Sequence, residues 1–322
     1  MDGLIAELLS PYHRKVLEEH GGADLAVMLE GLGRFRLNVF RQNLAHAMVF
    51  RVVRSRIPSI EELMLPLALK KFPLEPRGLI LIAGATSSGK STTLAAMIDH
   101  VNNTKAKHII SIEDPIEFLH RENLCIVNQR EIGHDSPSFV EALRYVVRQD
   151  PDLIAIGEMR DSETFQIAIS AAETGRLVIS TIHARNVHQT FDRILGFFHA
   201  DVREQVMIQL SFNLVSIACQ RLTRRRDGKG MVPAVEILVN TPTVSKLVRE
   251  QRLERLPAVI QGGHEDGMQT FNQALLKLYQ ESLIDQEEAL RMSDNPQALT
   301  MNMKGIFLDE TAGGIIGEKA PT

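Results

Sequence analysis

The sequence predicts an α/β fold: a parallel sheet with helices on both faces, a small α/β module ahead of it and short helices behind. Three observations predict it. From residue 78 onward, short apolar runs alternate with helical patterns, as strand–helix–strand units require. Between the first run, Gly78 to Ala83, and a helix continuing through Ile98 lies Gly84-Ala85-Thr86-Ser87-Ser88-Gly89-Lys90-Ser91, followed by Thr92. This has the spacing of a phosphate-binding loop, and its flanks are a strand and a helix, as such a loop needs. Finally, three later strand-like runs end in carboxylates or a histidine, where ligand sites of open parallel sheets lie.

Residues 1–72 read as the small N-terminal α/β domain. Ser10-Pro11 is a helix start with proline in the first helical position, leading through Tyr12 to His20. Leu25, Val27 and Leu29 then alternate before a Gly31-Leu32-Gly33 turn, and strand-like runs follow over 34–42 and 48–54. Pro73 and Pro76 mark 73–77 as a linker. In the core, 78–240, strands are expected near 78–83, 107–112, 124–129, 152–157 and 176–181, with helices near 90–102, 136–149 and 161–174. A long helix from Val202 to Ile217 should follow, then a hairpin through Arg226-Asp227-Gly228-Lys229-Gly230 into Val232 to Val239. Residues 241–300 read as a region of short helices, and 301–322 as a partly disordered tail, glycine-rich near its end.

Composition narrows the setting. Of 322 residues, 44% are hydrophobic and 24% charged, as in an ordinary globular protein. The net charge of −4 offers no general basic field, so no nucleic-acid partner is expected. Arg221, Arg224, Arg225 and Arg226 form one short basic run, which suits a solvated or subunit-facing edge. Cys125 and Cys219 stand far apart with no Cys-x-x-Cys pair, which argues against structural zinc and suits a reducing compartment. No apolar run approaches the ~20 residues that span a bilayer, and the start is unlike a signal peptide. The expectation is a cytoplasmic chain, peripheral wherever it meets a membrane.

The strand ends carry the chemistry. Lys90 is the residue such loops turn toward the β- and γ-phosphates, and the Ser91 hydroxyl is a ligand for Mg²⁺. Glu158 follows the apolar strand Leu153 to Ile156, the place of the acid that helps hold that ion. Glu113 and Glu117 end the run Ile109 to Ile112, and either could orient an attacking water; alone, they equally describe a solvated turn. His183 follows the strand at 176–181 and could report on the terminal phosphate. In the N-terminal module, Arg36, Arg51 and Arg54 sit on strand-like runs. Guanidinium groups can stabilise a transferring phosphoryl group; the plainer alternative is the solvated face of a sheet.

Together these stretches resemble the PilT/PilU family of type IV pilus retraction ATPases, within the secretion ATPase superfamily. The resemblance runs over about residues 30–300. It rests on the loop Gly84 to Ser91, the acidic stretch Ile112-Glu113-Asp114-Pro115-Ile116-Glu117, Gly157-Glu158-Met159-Arg160, and Thr181-Ile182-His183. Asn128-Gln129-Arg130-Glu131, Gly267-Met268-Gln269-Thr270-Phe271 and Asn302 to Phe307 also look like this family.

The resemblance implies a RecA-like P-loop ATPase core behind a PAS-like N-terminal domain, assembled as a homo-hexamer that uses ATP and Mg²⁺. It implies Glu113 as the catalytic glutamate and Glu158 as the Mg²⁺-associated acid. His183 would be the sensor, and Arg36, Arg51 and Arg54 would approach nucleotide across the ring. The implied partner is the pilus platform protein of the inner membrane, and the implied work is pilus retraction and twitching motility.

Departures from the pattern point to the PilU-like branch. The N-terminal module is shorter than the family's, without its opening Ser-Asp-Leu-His, so a trimmed PAS-like domain is expected. Arg176 stands where the first histidine of the family's His box usually lies. Thr243-Val244-Ser245-Lys246-Leu247-Val248-Arg249-Glu250 replaces Ala-Ile-Arg-Asn-Leu-Ile-Arg-Glu. Two alternatives stay open: an auxiliary or regulatory nucleotide-binding partner of a PilT-type ATPase, and a type II/IV secretion ATPase of the same superfamily.

Overall fold

The computed structural model describes residues 2–53, 56–309 and 314–316. Its N-terminal module has two helices, α1 (Asp2–Leu8) and α2 (Pro11–His20), then an antiparallel meander of β1 (Gly22–Leu29), β2 (Gly33–Gln42) and β3 (Ala45–Val52). Ser10 caps α2 by accepting from the His13 N–H, as Ser-Pro at a helix start requires. Asn43 and Leu44 both adopt positive φ between β2 and β3, the geometry of a tight two-residue hairpin turn.

Strand periodicity then sorts the side chains. Leu37 and Val39 of β2 join Leu25 of β1, Leu17 of α2 and Leu9 in the module's own core. Arg34 and Arg36 alternate with them and so point to the other face, and pairing of Arg36 with Arg51 puts Arg51 on that face too. That face turns toward the second unit of the fold.

The second unit is a seven-stranded sheet of β4 (Gly78–Gly84), β5 (His108–Glu113), β6 (Ile126–Glu131), β7 (Leu153–Ile156), β8 (Leu177–Ile182), β9 (Leu214–Arg224) and β10 (Met231–Val239). Its spatial order is β10-β9-β4-β8-β7-β5-β6, parallel except for the antiparallel edge strand β10. Helices α3 (Lys90–Asn102), α4 (Phe139–Val146), α5 (Ser162–Glu173), α6 (Val187–Leu195) and α7 (Arg203–Asn213) connect the strands.

Side chains of β4 divide between two cores. Leu79, Leu81 and Ala83 pack with α5 residues such as Phe165, while Ile80 and Ile82 pack with Leu94 and Met97 of α3. A strand buried on both faces must be apolar throughout, which is why Gly78 to Ala83 reads as an unbroken run. Ile60, Leu65, Leu69 and Phe72 join the second of these cores. Packing therefore shifts from the N-terminal module to the large sheet well before the expected linker at 73–77.

Short helices α8 (Pro242–Arg249), α9 (Leu256–Gly262), α10 (Phe271–Gln280), α11 (Gln286–Met292) and α12 (Pro296–Met303) follow, with a final strand pair. Thr270 and Gln273 form a reciprocal capping box at the start of α10. Two arginines of the basic run are engaged: Arg221 lies 3.8 Å over the Phe271 ring and grips both Asp294 oxygens, and Arg225 pairs with Asp227. Of the expected tail, 310–313 and 317–322 lie outside the described residues, as does Arg54. Among the described residues no helix is long and apolar enough to cross a membrane.

Two expectations change. The helix expected to run to Ile217 ends at Asn213, where Leu214 turns extended and the apolar stretch continues as β9 beside β4. A buried strand and a buried helix look alike in such a run. The strand expected at 124–129 lies two residues later, and α6 goes unanticipated although Asn186 caps it.

The two units are fastened by a largely buried ion pair. Arg34 Nη2 donates to Glu131 Oε2 at 2.8 Å, and the same oxygen accepts the Ile116 N–H at 3.0 Å. Arg34→Ala leaves the Glu131 carboxylate buried without its cation. The expected loss is about 2 kcal/mol in urea unfolding, below that of a fully buried pair because Arg34 keeps some solvent contact.

Candidate active site

The carboxyl ends of β4, β5, β7 and β8 open into one cleft of ≈ 680 Å³, closed on its far side by the polar face of the N-terminal sheet. The phosphate loop forms its floor. Gly89 adopts φ 90° and stands at the N-cap of α3 with no side-chain cap, so the first N–H groups of that helix face the cleft unclaimed by a side chain. Lys90 Nζ donates to the carbonyls of Gly84 (3.0 Å) and Ala85 (2.9 Å). Burial draws its pKa down, while the nearby Glu158 and Glu117 carboxylates oppose that shift.

From Lys90 a polar chain crosses to Glu158. Lys90 Nζ lies 3.5 Å from His183 Nδ1, and His183 Nε2 lies 3.0 Å from Glu158 Oε1. With a lysine ammonium on one side and a carboxylate on the other, these partners assign the imidazole proton to Nε2. The second Glu158 oxygen accepts from Arg160 Nη2 at 2.9 Å, a contact that raises the arginine's pKa. Both Glu158 oxygens are thus engaged by neighbouring side chains.

Glu113 is held differently. Its Oε1 accepts from Ser111 Oγ at 2.7 Å and from Gln129 Nε2 at 3.1 Å. Burial raises its pKa; Ser111, Gln129 and the Glu117 backbone N–H pull only partly the other way, and the Glu117 carboxylate adds to the rise. Glu117, the other carboxylate considered for this place, is more open and lies 3.6 Å from Arg36. Asp114 is raised by burial and drawn back by Arg160 and Arg36.

The structure therefore brings Lys90, Ser91, Thr92, Glu113, Glu158 and His183 to one cleft, with Thr86, Ser87 and Gly89 of the loop. Gly84 and Ala85 serve through the carbonyls that hold Lys90, and Ser88 lies buried behind the loop. Arg36 and Arg51 line this cleft, because the meander register turns their shared face onto the large sheet. Arg176 sits at the amino end of β8, the opposite edge from His183, and bonds the Thr174 carbonyl.

Sequence reasoning missed the residues that brace the loop from behind. Gln220 on β9 accepts from Thr93 Oγ1 at 2.7 Å and donates to the Ser88 carbonyl at 2.9 Å. A Cβ at Gly84 would fall 2.8 Å from the Gln220 carbonyl, so close approach of β9 excludes any side chain there. The available signal was a polar residue closing the apolar run Ile217-Ala218-Cys219. Gln220→Met leaves the Thr93 hydroxyl and the Ser88 carbonyl short of a partner. ADP affinity should fall at least roughly tenfold by calorimetry, since each unmet buried hydrogen bond costs about 1–3 kcal/mol.

The protein-family model described as "Type II/IV secretion system protein" matches residues 30–289. The type IV pilus ATPase PilU of Pseudomonas aeruginosa is 44% identical over 92% of this chain and 78% of its own length. The pilus retraction ATPase PilT of the same organism is 43% identical over 91% of this chain and 85% of its own. A crystal structure of the retraction motor PilT with bound ADP superposes with a TM-score of 0.84 at 44% identity, covering 92% of this chain and 84% of that one. A PilU-like assignment fits these likenesses. The chain belongs to the type II/IV secretion system protein family, among its type IV pilus ATPases.

Proposed function

We propose that this chain is the ATP-hydrolysing subunit of a ring-shaped motor, a homo-hexamer, that drives type IV pilus retraction against a platform protein of the inner membrane. The observation that carries the reading is the meeting of Lys90, Glu113, Glu158 and His183 in one cleft at the ends of four parallel strands. Its likeness to PilU and PilT supplies the physiological setting. The motor would work in the cytoplasm, peripheral to that membrane.

In this reading the phosphate loop binds the nucleotide tail, with Lys90 and the α3 amino end opposing its charge. The Ser91 hydroxyl and the Glu158 carboxylate are hard oxygen donors, which fits Mg²⁺; they would hold the ion, which would supply positive charge against the phosphates. Glu113 takes a proton from water as the water oxygen bonds to the γ-phosphorus. The bond from that phosphorus to the bridging oxygen breaks, and ADP leaves with the electron pair. Arg36 and Arg51 face the developing charge from the N-terminal sheet. His183, between Lys90 and Glu158, couples the phosphate-binding lysine to the acid beyond β7.

A second reading, an auxiliary motor working beside a PilT-type ATPase, draws on α8. Its Ser245 hydroxyl turns inward to the Ser211 carbonyl at 2.6 Å, and exposed Lys246 lies 3.9 Å from Glu250. These are the positions at which the chain departs from the family's Arg-Asn pair.

Three outcomes test the proposal. Glu113→Gln should lower turnover about 10²–10⁴-fold while ATP still binds, the usual worth of a general base. In the parental protein the raised Glu113 pKa puts the acid limb of turnover above the ordinary carboxylate range, because the base is lost as it gains its proton. In cells, loss of the gene should leave abundant surface pili without twitching; bald cells would overturn the assignment to retraction.

A further inference from the structure

Parallel pairing of β5 with β6 sets Gln129 directly beside Ser111, and Glu131 beside Glu113. Side chains two apart on a strand share a face, so all four stand on the α3 side of the sheet at its carboxyl edge. Ser111 is buried, and its hydroxyl reaches the Glu113 carboxylate two residues on. The Gln129 amide makes three bonds. Its Oε1 accepts the His120 N–H at 2.8 Å, and its Nε2 donates to the Phe118 carbonyl at 2.8 Å and to Glu113 Oε1 at 3.1 Å. One backbone donor and two acceptors admit a single orientation of that amide, because the flipped group would face oxygen with oxygen.

We propose that Ser111 and Gln129 are positioning residues that hold Glu113 by one oxygen, Oε1, and so present Oε2 to the attacking water. This rests on Glu113 being the base. The two donors meet the same oxygen from two strands, which fixes both the tilt of the carboxyl plane and the identity of the oxygen they leave. Both donors are neutral, so they orient the carboxylate without pairing its charge with a cation, and a base so held keeps its readiness to take a proton. Gln129 also grips the loop at Phe118 and His120, while Ser111 touches none of it. The two residues therefore separate orientation of the carboxylate from integrity of the loop.

The test is ATP turnover across pH by the full-length chain with Gln129→Met and with Ser111→Ala. Each variant should lose about tenfold in kcat, part of the worth of a general base, with KM within about twofold of parental. Each loses a donor that favours the charged carboxylate, so the acid limb of kcat should move upward in pH. The other charged groups around Glu113 are untouched: Asp114 and Glu117 on the same loop, Glu131 paired with Arg34 on the next strand, Lys90 and His183, Glu158 paired with Arg160, and Arg36 and Arg51 across from them. Binding of a fluorescent ADP analogue reports that each variant is folded. Upward displacement of the limb in both variants is the expected result, and a limb at its parental position in either one overturns the proposal. Glu113→Gln turning over at the parental rate would instead sink the reading of Glu113 as base.

Discussion

In-register parallel pairing of β4, β8, β7 and β5 is the constraint on which the rest of the molecule depends. Ala83 pairs with Ile182, Ile156 with Ser180, and Ile112 with Ile156, so these strands finish on one edge. The chain leaves each strand there and must turn back over one face of the sheet. Those turns carry the phosphate loop, Glu113, Glu158 and His183, residues spread across a hundred positions of sequence. Burial on both faces supplies the rigidity: β4, β7 and β8 are buried throughout their lengths. Close-packed strands of this kind give little way, so the distances among the polar groups are inherited from the sheet.

The N-terminal module completes the cleft through a second periodicity. Its meander buries one face in its own small core and carries Arg34, Arg36 and Arg51 on the other. That face meets the acidic edge of the large sheet. Arg34 is bound to Glu131, which also receives the Ile116 N–H, and Arg36 stands near Glu117. The same acidic stretch that holds Glu113 is therefore held from above by the N-terminal sheet. A shift of one unit against the other would be felt first in the loop between Asp114 and Phe118, and next in the carboxylate that loop follows.

Much of this was legible in the sequence, and for identifiable reasons. Gly84 to Ser91 announces itself by spacing and by its flanks, and α3 falls at the expected residues 90–102. The strands before Glu113, Glu158 and His183 stand out because a doubly buried strand has to be continuously apolar. What escaped notice depends on pairing across the sheet. Nothing local to Gln220 or Gln129 says that one lies behind the phosphate loop and the other beside Glu113; only the strand order β9-β4 and the register of β5 with β6 say so. The same blindness produced the overlong helix at Val202 to Ile217, since β9 is recognisable only by its partner. For Arg36 and Arg51, alternation identified the strands, but which unit their polar face would meet was a matter of tertiary packing.

The two glutamates of the cleft are the same chemical group placed in opposed circumstances. Glu158 lies between a guanidinium and an imidazole, with each oxygen facing one of them. Glu113 has only neutral hydrogen-bond donors at Oε1 and is pushed upward by burial. A proton on its other oxygen leaves both of those bonds intact. The environments thus differ in kind: Glu158 is gripped at both oxygens by a guanidinium and an imidazole, whereas the side chains that hold Glu113 are neutral donors. In the proposed reading, that difference, more than proximity to the phosphate loop, favours Glu113 for the proton and Glu158 for the metal side of the reaction.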